Sequence, residues 1–149
     1  MTDVQEAYRL LVADVYELAG TSRRTSEAIA ATAGQTTARW HVLSVLSGAP
    51  STVATVARRL GLARQSVQRV ADDLLADGLV DRTANPDHRT APLLALTDAG
   101  RRTLAVLVGR GDADRARVLD AAGTSADELL ACREVLRRLL AALDGSAPA

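Results

Sequence analysis

Arg64, Gln65, Gln68 and Arg69 are the side chains of this sequence whose types and spacing best support recognition chemistry. A guanidinium donates in pairs to phosphate oxygens or a guanine edge, and a carboxamide matches the donor and acceptor of an adenine edge. Rotating the stretch from Arg64 to Asp77 by about 100° per residue puts Val67, Val70, Ala71 and Leu74 on one buried face. Gln65, Arg69, Asp72 and Ala76 point the other way, with Gln68 on the flank. The polar group thus occupies the exposed N-terminal half of a helix, and Asp72, Asp73 and Asp77 follow only in its C-terminal half. Helix electrostatics favours the reverse order by about 0.3 to 1 kcal/mol per charge, so an anionic partner explains it better than folding does. The competing reading is a solvated face whose charges do nothing.

Charge along the chain points the same way. There are 18 basic and 18 acidic residues, a balance that by itself predicts no nucleic-acid partner. The distribution is uneven: no acid lies between Glu27 and Asp72, an interval that holds Arg39, Arg58, Arg59, Arg64 and Arg69. That is the footprint of a surface meeting phosphates, and a neutral chain using it should lose affinity steeply with salt. Every basic residue is arginine, which reads as genomic base composition.

The elements that must position these side chains run from Ser51 to Thr97. Ala57, Gly61 and Val67, with Val56, Leu60, Leu62 and Val70 around them, spell two short helices crossing closely, Gly61 taking the positive φ that ends the first. Ser51 or Thr52 can cap the first helix, and both are counted with the DNA-facing set; Ala63 stands where the second helix would want a hydroxyl cap. Asp77-Gly78 closes that second helix. Candidate strands Leu79 to Thr83 and Pro92 to Leu96 then flank the turn-rich Ala84-Asn85-Pro86-Asp87-His88. Helix, turn, helix and hairpin in that order is a winged helix-turn-helix, whose second helix suits a DNA groove.

The flanks read as helices, so the fold class is mainly α with a small β wing. Val4 to about Thr32 forms one long helix with Tyr8, Leu11, Val15, Leu18 and Ile29 on a stripe. A second starts at Thr36 as N-cap and turns Trp40, Leu43 and Leu46 inward, ending at Gly48-Ala49-Pro50. Thr97 caps a long helix to about Ala122, where Gly109 and Gly111 predict a bend or loosened segment. Ser125 to Glu128 is a capping box opening a last helix with Leu129, Leu130, Val135, Leu136, Leu139, Leu140 and Leu143 on a wide apolar face. The tail from Gly145 to Ala149 is expected to be disordered. With 149 residues, 48% hydrophobic, one Trp, two Tyr and no Phe, the core must be Leu, Val and Ala. A central lobe of residues 35–97 cannot cover these terminal stripes. Residues 1–34 and 98–149 are therefore assigned to a twofold homodimer, with palindromic half-sites about one helical turn apart. No apolar run approaches a membrane span and no leader follows Met1, so a cytoplasmic protein without membrane contact is expected. The single Cys132 excludes an internal disulfide framework.

These residues resemble the MarR family of bacterial winged-helix regulators. The matching stretches are Thr36 to Leu46, Thr52 to Val80, and Asn85 to Gly100, where a short strand running into Leu-Thr-x-x-Gly is the most specific. The resemblance implies an obligate homodimer that represses, less often activates, transcription from a double-stranded DNA operator and is released by a small phenolic or lipophilic ligand. By position it assigns Arg64, Gln65, Ser66, Gln68 and Arg69 to the recognition helix and Arg89 to the wing. Members often carry Asp-Arg-Arg at the wing, where this chain has His88, Arg89 and Thr90, so Asp87 is expected to orient Arg89. The oxidation-sensing branch uses a cysteine near the N-terminus; here Cys132 lies on the last helix, and packing is its expected role.

Three further residues, Tyr16, Trp40 and His41, are candidates for the wall of the ligand cleft, against the reading that Trp40 is simply the main core aromatic. His88 can donate to a phosphate, with Arg89 the stronger candidate for a narrow groove. Two histidines, one cysteine and no Gly-rich phosphate loop offer no catalytic or metal constellation, so neither enzyme, metal nor cofactor is expected. The alternative function is a winged helix used only for protein contacts.

Overall fold

Capping residues set most element boundaries. The computed structural model describes residues 3–145, arranged as α1 (Val4–Thr32), α2 (Thr37–Gly48), α3 (Val53–Leu60), α4 (Arg64–Ala76), β1 (Val80–Thr83), β2 (Leu93–Leu96), α5 (Asp98–Ala122) and α6 (Ala126–Gly145). Thr36 accepts from the Arg39 N–H at 3.2 Å to start α2, and Thr52 accepts from the Thr55 N–H at 3.2 Å to start α3. At the other end of α3, Gly61 adopts φ 65° and Leu62 N–H returns to the Ala57 carbonyl at 3.0 Å, a left-handed cap that only glycine enters without strain. The chain divides into two compact units, the first ending at Gly111 and the second starting at Asp112, so that α5 spans the division.

The first unit holds the core. Trp40, Val42, Leu43 and Leu46 of α2 pack with Val56 and Ala57 of α3, Val67, Ala71 and Leu74 of α4, Val80, Leu94 and Leu96 of the strands, and Leu104 and Leu107 of α5. The face derived for α4 by rotation is the one buried: Val67, Ala71 and Leu74 are enclosed and Val70 half-buried, with Gln65, Gln68, Arg69, Asp72 and Ala76 exposed. Ile29 packs against this core, whereas Tyr8, Val15 and Leu18 of α1 stay exposed.

β1 and β2 pair antiparallel with Val80 opposite Leu96 and Arg82 opposite Leu94. Each strand starts one residue later than its sequence pattern suggests. Leu79 spends its N–H on the Leu74 carbonyl at 2.9 Å, closing α4, and its carbonyl accepts from Thr97 N–H at 3.1 Å. On its outer side β2 meets Ser51, which exchanges two backbone hydrogen bonds with Leu94 at 3.0 and 2.9 Å.

Leu96-Thr97-Asp98-Ala99-Gly100 joins the wing to α5 through one compact junction. Thr97 Oγ1 accepts the Gly100 N–H at 3.0 Å and donates to the Gly78 carbonyl at 2.7 Å, so a single hydroxyl caps α5 and ties it to the end of α4. Gly100 is buried against the Leu79 carbonyl, and a Cβ there would lie 2.0 Å from that oxygen. α5 is helical across Gly109 and Gly111, and the division between the two units falls directly after Gly111.

In the second unit, Ser125 and Glu128 form the expected capping box. Glu128 Oε2 accepts from the Ser125 N–H at 2.8 Å and its hydroxyl at 2.9 Å, and the Glu128 N–H donates to Ser125 Oγ at 3.3 Å. The Ser125 backbone and hydroxyl bonds, with the Thr124 hydroxyl, hold the Glu128 carboxyl below its ordinary value. A depressed carboxyl contributes stability that is present above its unfolded pKa and lost as pH falls through the folded one. An NMR titration of Glu128 should therefore give a midpoint below that of an unstructured glutamate, moving back up in Ser125→Ala; equal midpoints would contradict the cap. α6 buries no residue at all, and Leu130 and Leu143 are 61% and 56% exposed. Cys132 is exposed, so the packing expected of it is not made within this chain. Of the tail expected to be disordered, Gly145 closes α6 and the rest lies outside the described residues.

Candidate nucleic-acid interface

α4 begins without a side-chain cap, because Ala63 at its N-cap has no oxygen to offer. Its first turn also lacks an acid, so the positive end of the helix meets solvent through backbone N–H groups and Arg64. Such an end is ready to receive a phosphate. Arg64, Gln65, Ser66, Gln68 and Arg69 are all exposed there, so the structure gathers the proposed reading residues on one open surface.

Beside this surface runs an open groove between α3, the start of α4 and the hairpin. Its inner part is lined by Thr52, Arg64, Gln68, Arg82 and Thr90, and its outer part by Thr55, Arg58, Asn85, Asp87 and His88. The basic side chains Arg58, Arg64 and Arg82 face it with His88, against the carboxylate of Asp87. Ser51 and Thr52 line it with structural duties: Ser51 donates its hydroxyl to the Ala49 carbonyl at 3.1 Å, and Thr52 caps α3.

The wing tip is ordered by Asn85. Its Oδ1 accepts the Asp87 N–H at 3.0 Å and its Nδ2 donates to the Ala91 carbonyl at 2.9 Å, bracing both sides of the turn. Arg89 is exposed, and among the described residues no ion pair joins it to Asp87. The orienting role expected of Asp87 is thus not seen; its backbone serves the Asx turn instead. His88 lies close enough for Nδ1 to meet Thr90 Oγ1 at 3.4 Å.

Two of the acids in the C-terminal half of α4 and at its C-cap are engaged. Asp77 pairs with Arg39 of α2, whose side chain is only 15% exposed. Arg39 therefore clips α2 to the end of α4 and leaves the basic surface to which its place in the acid-free interval assigned it. Asp72 accepts from Gln68 Nε2 at 3.0 Å and lies 3.6 Å from Arg82 Nη2.

Arg58, counted in the acid-free run, does line the groove. Arg82 and Asn85 were not assigned to it from the sequence. Arg82 carried a signal: two residues after the buried Val80, it shares the inner face of the ribbon and extends from it toward α4.

Of the residues assigned to a ligand cleft, Trp40 is buried in the core while Tyr16 is 76% exposed and His41 exposed. None of the three lines the groove beside the wing. Trp40 is thus placed as the main core aromatic.

A sequence model of the MarR family matches residues 33–89. An uncharacterised protein of Mycobacterium tuberculosis strain H37Rv is 51% identical over 138 residues, covering 93% of this chain and 95% of the relative. Among solved structures, CouR of Rhodococcus jostii bound to p-coumaroyl-CoA superposes with TM-score 0.76 at 23% identity, over 93% of this chain and 95% of that one. A Staphylococcus aureus MarR in complex with salicylate and kanamycin superposes with TM-score 0.81 at 13% identity, over 95% of each chain.

Proposed function

The chain belongs to the MarR family, and on that premise we propose that it is a sequence-specific DNA-binding transcriptional regulator that works as a homodimer in the cytoplasm. The observation that carries the reading is the N-terminal half of α4: uncapped, free of acids, and presenting Arg64, Gln65, Ser66, Gln68 and Arg69 beside a groove that holds Arg58 and Arg82. Phosphates would engage the helix end, Arg58 and Arg82. The α4 side chains would meet base edges, with His88 and Arg89 reaching from the wing.

In this reading residues 35–97 are the DNA-binding lobe, and residues 1–34 and 98–149 bring two copies together. Its support is that Tyr8, Val15 and Leu18 of α1 and Leu129, Leu130, Leu140 and Leu143 of α6 stay exposed in the single chain. The dimer acts as a repressor, released by a small lipophilic or phenolic ligand. The ligands named with the Rhodococcus and Staphylococcus structures support that part, and Tyr16 and His41 are the exposed candidates to meet one.

Selection of bound fragments from random duplex DNA tests the central claim, with a palindrome as the expected result. Arg69→Ala should then weaken binding to the selected site by about 1 to 3 kcal/mol in a gel-shift titration. Unchanged affinity in the folded variant would remove Arg69 from the interface. Failure of the wild type to prefer any duplex would favour a winged helix that contacts only proteins.

A further inference from the structure

Asp72 is an acid on the exposed face of a helix whose proposed partner is a polyanion, and it touches one of the residues proposed to read that partner. Gln68 Nε2 donates to Asp72 Oδ1 at 3.0 Å, and Arg82 Nη2 of β1 stands 3.6 Å from the same oxygen. Gln68 and Arg82 both line the inner groove. A free glutamine amide can present either end, because its donor and acceptor are close in size. An ionised carboxylate only accepts, so beside Asp72 the amide must turn its NH2 group inward. The carbonyl oxygen and the second N–H are then left for a ligand. That pair complements adenine in the major groove, where N6 donates and N7 accepts.

We propose that Asp72 is a positioning residue, held by Arg82, that sets which way round Gln68 presents its amide and so makes α4 select adenine at one position of each half-site. The inference rests on the DNA-binding reading above and deepens it. It also explains the carboxylate on this face. Asp72 repels phosphate and lowers affinity for every duplex, while discrimination at one base pair rises, the trade expected when a repulsive element supports specificity.

The test uses the full chain and random duplex selection with wild type, Asp72→Asn, Gln68→Ala and the double variant. Wild type should select a palindrome with adenine at a position that Gln68→Ala relaxes. Asp72→Asn is isosteric, yet its amide can donate as well as accept, so Gln68 is free to flip. It should keep the palindrome and spacing, lose about tenfold in discrimination at that same position, and bind unrelated duplexes more tightly. The double variant should discriminate there no worse than Gln68→Ala alone. A folding defect has the opposite signature, since it lowers affinity for all duplexes together.

A uniform rise in affinity with unchanged base preference in Asp72→Asn would overturn the inference and leave Asp72 a purely electrostatic feature. So would a selected base other than adenine at the Gln68-dependent position, or no dependence on Gln68 at all. If wild type selects nothing, the DNA-binding reading itself fails and this inference with it.

Discussion

Replacing Gly100 with alanine is expected to destabilise the chain by about 3 kcal/mol, although alanine is by about 1 kcal/mol the better helix former. Propensity loses because of where the new methyl would go. It would lie 2.0 Å from the Leu79 carbonyl oxygen and 3.0 Å from its carbon, and both are backbone atoms that cannot swing aside. That carbonyl is also fixed by Thr97 N–H, and the preceding one, of Gly78, by the Thr97 hydroxyl. Relief therefore means moving α5 away from the junction and loosening Leu96, Leu104 and Leu107 in the core. A loss of that size should lower the melting temperature by about 6 to 12 °C for a domain of this length. Gly109→Ala is the control: it lies in the same helix with nothing within 4 Å of the added carbon, so it should be neutral or stabilising. Equal melting temperatures for the two variants would refute the close approach.

The second large effect concerns assembly. Leu130→Glu combined with Leu143→Glu should leave the isolated chain folded and convert a dimer to monomer. Both side chains are more than half exposed in the single chain, where such replacements cost little. In a dimer that buries them, each leucine removed forfeits about 1.5 to 3 kcal/mol and twofold symmetry counts each change twice. Two sites in two copies amount to at least about 6 kcal/mol, a weakening of more than about ten-thousandfold. Light scattering should report the monomer mass, and affinity for a palindromic duplex should collapse toward that of a single lobe. A dimer that survived both substitutions would place the interface elsewhere.

How far the molecule could be read without coordinates depended on the range of each interaction. The Thr36 and Thr52 caps, the positive φ of Gly61, the buried stripe of α4 and the box of Ser125 and Glu128 all involve residues within a few positions of one another, and the structure contains each of them. The hairpin was legible from its turn residues to within one residue at each strand start. Arg39 was misassigned because its partner Asp77 is 38 residues away, and no local pattern announces that ion pair. Arg82 was overlooked for a similar reason: its significance comes from α4 lying across the ribbon, a tertiary fact. Gly100 belonged to a recognisable motif, but only the position of the Leu79 carbonyl explains the requirement. Gly109 and Gly111 do not end α5, since the intrinsic cost of glycine in a helix is small enough for the rest of it to absorb.

The backbone exchange between Ser51 and Leu94 has a consequence for engineering. By stitching the segment ahead of α3 to β2, it makes the root of the hairpin inseparable from the helix pair, while the tip from Ala84 to Ala91 projects beyond the last paired residues, Thr83 and Leu93. Changes in that tip would reshape the outer part of the groove, which Asn85, Asp87 and His88 line, without breaking the strand pairing beneath it, as in an interchangeable tool head on a fixed handle. An engineer can thus graft a foreign tip between Thr83 and Leu93 while the bridge from Ser51 to Leu94 holds the root of the hairpin in place.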